Sequence, residues 1–211
     1  MGSIKPRPTT PTTQATQATA TDDQICSALA AGQGGAAEAV YDRIADVVQA
    51  VLYRLLGADA ERDDLTQQAI ERVISTIVSG RYARGCSLRS WATLLAQHVA
   101  VDALRVRARE RRLFDRSATH HALELVAANT DTPERLTDAR RRVALLQSAL
   151  ASVNRERSEA VVLHDVLGHD LAEIAQLKGV SVAAAQSRLV RGRKDVLAWI
   201  RKHEGRNAGL E

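Results

Sequence analysis

The sequence predicts an all-α fold built as two helical units, and three observations carry that reading. Aromatic residues make up only 3% of the chain, with Phe114 the sole Phe, so the core has to be assembled from Ala, Leu and Val. Apolar residues recur at spacings of three and four, which gathers them on one face of a 3.6-residue helix. Gly, Pro and capping residues punctuate those repeats. At 211 residues, 45% hydrophobic and 26% charged, the chain has the length of one large or two small domains and the balance of a globular protein.

Residues 1–21 hold three of the four prolines, a dense run of Thr, Gln and Ala, and no acidic residue. Such a composition buries too little apolar surface to offset ordering entropy, so a disordered tail is expected. A first helix runs from Asp22 to the break at Gly32, Gly34 and Gly35. A second carries Val40, Ile44, Val47, Val51 and Leu55, with Gly57 as its natural stop. The third begins near Asp59 and repeats Leu65, Ala69, Val73 and Ile77, with Ile70 and Ile74 beside them, before Gly80. Ser87 is a good N-cap for a long fourth helix from Leu88 to about Arg112, with Leu88, Trp91, Leu95 and Val99 facing inward. Four helices with short loops make a bundle, assigned to residues 22–113.

The periodicity then lapses, and 114–131 is expected to be a flexible linker. Thr132-Pro133 supplies an N-cap followed by Pro at the first helical position, opening a second unit over 132–204, with 205–211 as a C-terminal tail. Its first helix carries Leu136, Val143, Leu146 and Leu150, and its second, from about Asn154, carries Val162, Leu163, Val166 and Leu167 up to Gly168. The stretch Asp170 to Ser181 reads as a helix-turn-helix. Asp170 and Glu173 have capping-box spacing, Ala175 is small where two helices cross, Gly179 permits the turn, and Ser181 caps a helix running to about Lys202. Ala185, Leu189 and Val196 share one side of that helix; Ala184, Ser187, Arg188 and Arg191 share another.

Net charge is only +4, so its distribution is the informative part. Arg188, Arg191, Arg193, Lys194, Arg201 and Lys202 stand against Asp195 alone. Near the end of the fourth helix, Arg105, Arg107, Arg109, Arg111, Arg112 and Arg116 stand against Glu110 and Asp115. Both stripes are dominated by Arg, whose planar fork suits phosphate and base edges. Residues 59–71 are the reverse: Asp59, Glu61, Asp63, Asp64 and Glu71 face Arg62 alone, a surface for protein rather than DNA.

On these residues the chain, over about 23–203, resembles the extracytoplasmic-function sigma factors of bacterial RNA polymerase. Asp64-Leu65-x-Gln67 is similar to the family's region-two signature, whose helix docks on the clamp of the polymerase β′ subunit. Trp91-x-x-x-Leu95-Ala96 followed by Asp102-x-x-Arg105 is similar to the helix that engages and helps melt the −10 element. Glu173-Ile174-Ala175, Gly179-Val180-Ser181 and Ser187-Arg188-Leu189-x-Arg191-x-Arg193 are similar to region four, the reader of the −35 element. The resemblance implies core polymerase (β′ clamp and β subunits) and promoter DNA as partners, and an anti-sigma factor as a further one. It places core binding on Asp63, Asp64, Leu65, Gln67, Gln68 and Glu71. Region-two DNA contact falls on His98, Asp102, Arg105, Arg109 and Arg112, and region-four contact on Ser181, Ala184, Ser187, Arg188, Arg191 and Arg193. Ala184-Ala185-Gln186 replaces the family's usual Thr-Val-Lys, losing a hydroxyl and a charge, and His98 stands where Asn is common.

Other chemistries are excluded one by one. Trp91 lies on the apolar stripe of its helix and reads as core. His120-His121 has no ligand-spaced Cys or carboxylate, so no metal and no cofactor are expected. Asp63 and Asp64 point about 100° apart on a helix and do not converge on a reacting atom. No phosphate loop, nucleophile elbow or triad pattern is present, which argues against an enzyme. Cys26 and Cys86 lack a metal or redox spacing and read as reduced, small hydrophobes. No apolar run is long enough to span a membrane and no signal peptide opens the chain, so a cytoplasmic protein is expected. Two alternatives stay open: a stand-alone helix-turn-helix regulator, and a sigma-like interaction module without promoter activity.

Overall fold

The computed structural model describes residues 20–114 and 133–207, all of them in helices, turns and short loops. The tail up to residue 19, the segment 115–132 with its His pair and Arg116, the last four residues, and the side chain of Arg112 lie outside the described residues. Eight α-helices are described: α1 (Asp22–Ala30), α2 (Ala36–Leu56), α3 (Arg62–Val78), α4 (Leu88–Phe114), α5 (Pro133–Ser152), α6 (Arg155–Val161), α7 (Leu171–Lys178) and α8 (Val182–Asn207).

Helix starts follow capping chemistry. Thr21, assigned from the sequence to the tail, instead forms a capping box with Gln24 and so belongs to α1. The N-terminus of α4 is held twice: Ser87 Oγ accepts from Ser90 N at 3.1 Å, and Asp22 Oδ2 accepts from Leu88 N at 2.9 Å, which pins α1 to α4. Gly57 ends α2 at φ 76°, a conformation that costs a Cβ-bearing residue. Helix α3 begins three residues after Asp59, because that side chain accepts from Glu61 N at 2.9 Å and pairs with Arg107 instead of entering the helix. The run expected as one helix from Asn154 to Gly168 is α6 followed by a π-helical turn over Val162–Val166.

Helices α1 to α4 enclose Val40, Ile44, Val48, Leu52, Val73, Leu88 and Val99, all essentially without solvent contact. Trp91 is structural, as expected: its Nε1 donates to Thr76 Oγ1 at 3.1 Å and its ring lies 5.8 Å from that of Tyr82. In the second half, α6 and α8 cross so closely at Gly192 that a Cβ there would meet the Arg157 carbonyl oxygen at 2.5 Å.

The two halves do not stand apart. A single apolar cluster runs from Ile44 and Leu52 through Val101 and Leu104 of α4 to Leu150 of α5, Val161 of α6 and Leu189 of α8. A second joins Leu94 of α4 to Leu163 of the π-helical turn and to Ile174, Leu177 and Ala185 of the helix-turn-helix. Helix α4 therefore serves two cores, with Leu88, Ala92, Ala96 and Val99 among the residues buried in its own bundle and Leu94 turned to the other half.

Candidate nucleic-acid and protein-docking interfaces

The helix-turn-helix is built as its sequence dictates. Asp170 Oδ1 accepts from Glu173 N at 2.8 Å, Glu173 Oε2 accepts from Asp170 N at 3.0 Å, and Gly179 turns the chain at φ 62°. Ser181 Oγ then accepts from Ala184 N at 3.2 Å and starts α8. Ala185, Leu189 and Val196 are buried beneath that helix, while Ser181, Arg191 and Arg193 are exposed and Ala184, Ser187 and Arg188 are half-buried. A shallow groove on this side is lined by Asn154, Arg157, Ala184, Ser187, Arg188 and Arg191, with Glu156 at its rim. Arg188 Nη2 is held 3.0 Å from Glu156 Oε2, so Glu156 competes for it with any phosphate. Arg193 is turned to Asp165 at 2.5 Å, and hydrogen bonding from that guanidinium holds the Asp165 carboxyl below its ordinary range.

The acidic face on α3 is split in two. Asp59 and Glu61 share Arg107 of α4 as ion-pair partner, the second at 2.8 Å, and the bonds they make outweigh burial to raise the Arg107 guanidinium pKa. Asp63, Asp64, Gln67, Gln68 and Glu71 remain exposed, with Leu65 half-buried at the foot of α3. Asp63, Thr66, Gln67, Ile70 and Glu71 line an open groove whose opposite wall, on α2, is Tyr41 and Gln49. Tyr41 is exposed, and no charge pattern in the sequence singled it out.

The basic stripe of α4 is also divided. Arg109 faces solvent, but Arg105 is covered: its Nη2 donates to the Val153 carbonyl at 3.4 Å, and burial together with nearby Arg155 lowers its pKa. Asp102 takes Arg155 of α6 in a two-pronged pair, at 3.0 and 3.3 Å. His98 Nε2 lies 3.3 Å from Glu159 Oε1. Thus His98, Asp102 and Arg105, which the sequence aligned for DNA, all meet the second half of the chain.

Sequence reasoning missed the residue at the centre of that contact. Glu159 is 2% exposed, accepts from Arg155 Nε at 2.9 Å, and pairs with Lys178 of α7 as well as His98. Burial pushes its carboxyl pKa up, but the bonds from His98 and Lys178 prevail and bring it down to about 2. Gln97, fully buried on α4, donates from Nε2 to the Glu159 carbonyl at 3.0 Å. A signal was present: Glu159 is the one charge inside the run Ser158 to Leu163, where an exposed side chain is out of place.

Comparisons with known proteins find a family match in each half of the chain. Residues 40–110 match the family model described as Sigma-70 region 2, and residues 144–196 match Sigma-70, region 4. The ECF RNA polymerase sigma factor SigC of Mycobacterium tuberculosis is 32% identical over 85% of this chain and 94% of its own length. The RNA polymerase sigma factor CarQ of Myxococcus xanthus is 34% identical over 76% of this chain and 87% of its own. The ECF sigma factor SigE of Mycolicibacterium smegmatis is 32% identical over 78% of this chain, which spans 61% of that protein. With both family regions present in order, and with SigC and CarQ each more than 30% identical and matched over most of their own length, the chain belongs to the extracytoplasmic-function sigma factors of RNA polymerase.

Proposed function

We propose that the chain acts as a dissociable promoter-specificity subunit. It docks on core RNA polymerase through α3, reads upstream promoter DNA with α8, and helps open the −10 element with α4, while the polymerase performs catalysis. The observation that carries this reading is the exposure of Asp63, Asp64, Gln67, Gln68 and Glu71 along one helix that also walls an apolar-floored groove. An acidic rim over Ile70 fits a basic amphipathic helix, which is the chemistry of a protein clamp and not of DNA. The exposed side of α8 supplies the complementary charge for phosphates. Its compartment on this reading is that of the polymerase, the cytoplasm, and no described helix is long and apolar enough to cross a membrane.

The test is to replace Asp64 and Gln67 together by Ala and titrate the full chain against core polymerase. Affinity for core is expected to fall about tenfold or more with helical content unchanged, since paired contacts at an interface centre cost about 1–2 kcal/mol or more. Unchanged affinity would remove α3 as the docking surface. The covering of His98, Asp102 and Arg105 favours a second reading, an interaction module that never reaches −10 DNA. Failure to initiate from any promoter despite tight core binding would put that reading first.

A further inference from the structure

Two carboxylates of the second half answer two arginines across one helix crossing. At Gly192 the absence of a side chain lets α8 lie against the Arg157 carbonyl of α6. One turn after it, Asp195 of α8 accepts from Arg157 Nη1 at 2.7 Å; one turn before it, Arg188 of α8 sets Nη2 3.0 Å from Glu156 Oε2. The start of α6 is itself fixed, because Asn154 Oδ1 accepts from Glu156 N at 3.1 Å and from Arg157 N at 3.4 Å. Glu156 therefore has a set place beside the recognition residues. All of these groups belong to the second half, so their arrangement does not depend on how that half packs against α4.

The three arginines of the groove differ as a result. Arg157 is tied to Asp195, Arg191 is exposed and makes no ion pair with a described residue, and Arg188 is half-buried with one Nη nitrogen against a carboxylate. A guanidinium carries five N–H donors in one plane, so the pair with Glu156 leaves others to be taken. Charge decides what can take them. A phosphate would bring a full negative charge up to Glu156 and be repelled, whereas O6 and N7 of guanine are neutral acceptors.

We propose that Glu156 is a positioning residue that withholds Arg188 from the phosphate backbone and presents it to a guanine edge, leaving Arg191 to hold phosphate. The proposal rests on the reading of α8 as the helix that meets upstream duplex DNA. It divides labour between neighbours one turn apart: the buttressed arginine supplies sequence, and the exposed one supplies charge.

The experiment compares the full chain with Glu156→Ala, Arg188→Ala and the double variant, each assembled with core polymerase. Each holoenzyme selects from an 80-base-pair duplex pool with 40 randomised central positions, and the bound fraction is sequenced. Fluorescence anisotropy then gives affinity for the parent's preferred duplex and for a scrambled one between 50 and 300 mM KCl. Circular dichroism verifies helical content, with Arg188→Gln, which keeps the stem, standing in should Arg188→Ala lose it. The parent is expected to prefer guanine at an upstream position where Arg188→Ala has no preference, and Glu156→Ala to lose that preference about fivefold or more. Glu156→Ala is also expected to bind the scrambled duplex more tightly, with the slope of log affinity against log salt steeper by about one, as Arg188 turns to a phosphate. The double variant is expected to match Arg188→Ala in both respects, which a merely structural role for Glu156 would not produce. A guanine preference lost in Arg188→Ala but kept in Glu156→Ala overturns the proposal and leaves α8 as the reader. Uniform weakening on all sequences in Arg188→Ala makes Arg188 a phosphate contact and overturns it too. So does a preference that depends on Glu156 even without Arg188, since Glu156 then reads the base itself. An unchanged pool and an unchanged salt slope in Arg188→Ala remove both the proposal and Arg188 as a DNA contact.

Discussion

Gln97 of α4 donates from Nε2 to the backbone carbonyl of Glu159 at 3.0 Å, while its Oε1 is buried without a partner among the described residues. The pair lies 62 positions apart in the chain and joins the two halves through a buried hydrogen bond. Glu159 O also accepts from Val162 N, so losing the amide does not orphan it.

Gln97→Leu keeps the volume and removes the unsatisfied oxygen. It is expected to change unfolding free energy by less than about 1 kcal/mol. Gln97→Glu sets a second buried carboxylate against Glu159 and is expected to cost about 3 kcal/mol or more. Urea unfolding of both variants checks this; equal losses would mean that the amide is held by more than this contact.

Stability is expected to depend on Glu159 below pH 5. Its folded pKa, about 2, lies under the ordinary 4.5, so the contribution is fully present above about 4.5 and is lost as pH falls toward 2. The shift corresponds to roughly 3 kcal/mol. Urea midpoints measured between pH 5 and pH 2.5 are expected to fall more steeply for the parent chain than for Glu159→Gln. Parallel curves would show that another group carries the acid sensitivity.

Gly192→Ala reverses the usual rule for helices. Ala is favoured over Gly by about 1 kcal/mol in a helix interior, yet here its Cβ would lie 2.5 Å from a backbone oxygen of α6, which cannot swing aside. Overpacking of this kind is expected to lower stability by about 1–3 kcal/mol and to loosen α8 from α6. A raised thermal midpoint would show that the crossing has slack.

Promoter contact is expected to divide between α8 and α4. Loss of Arg188 and Arg191 should impair upstream binding; a base contact from Arg188 would cost about 1–3 kcal/mol and relax preference at one position. Loss of Arg105 and Arg109 should impair strand opening instead. Transcription from a template with a pre-melted −10 region is expected to rescue the second double variant and not the first. Equal rescue of both, or of neither, would refute the division.

What the sequence made visible was whatever is encoded locally. The capping box Asp170/Glu173, the left-handed Gly179, the stop at Gly57 and the buried faces of α2 and α8 all depend on neighbours within a few positions. What stayed hidden depends on pairs brought together from afar. Leu94 drew no attention beside the inward residues Trp91 and Leu95, and Arg105 was placed in a basic stripe expected to meet DNA. Only the packing of α6 and α7 on α4 gives the first a second core and the second a cover. The exposed charged faces of α3 and α8 were readable because charge and turn chemistry are encoded locally. Glu159 was not, because its significance comes from His98 and Lys178, far from it in sequence.

The double burial of α4 has a consequence for synthesis on the ribosome. When Leu104 has emerged, the residues that will cover it and Leu94 from the other side, as far as Ala185, have yet to be made. At the usual pace of elongation those roughly 80 residues take on the order of 4–16 s. For that interval the nascent first half displays bare leucine and valine to its surroundings. A fragment ending at the close of α4 would display them permanently, so the natural place to truncate this protein by sequence is a poor place to truncate it for solubility.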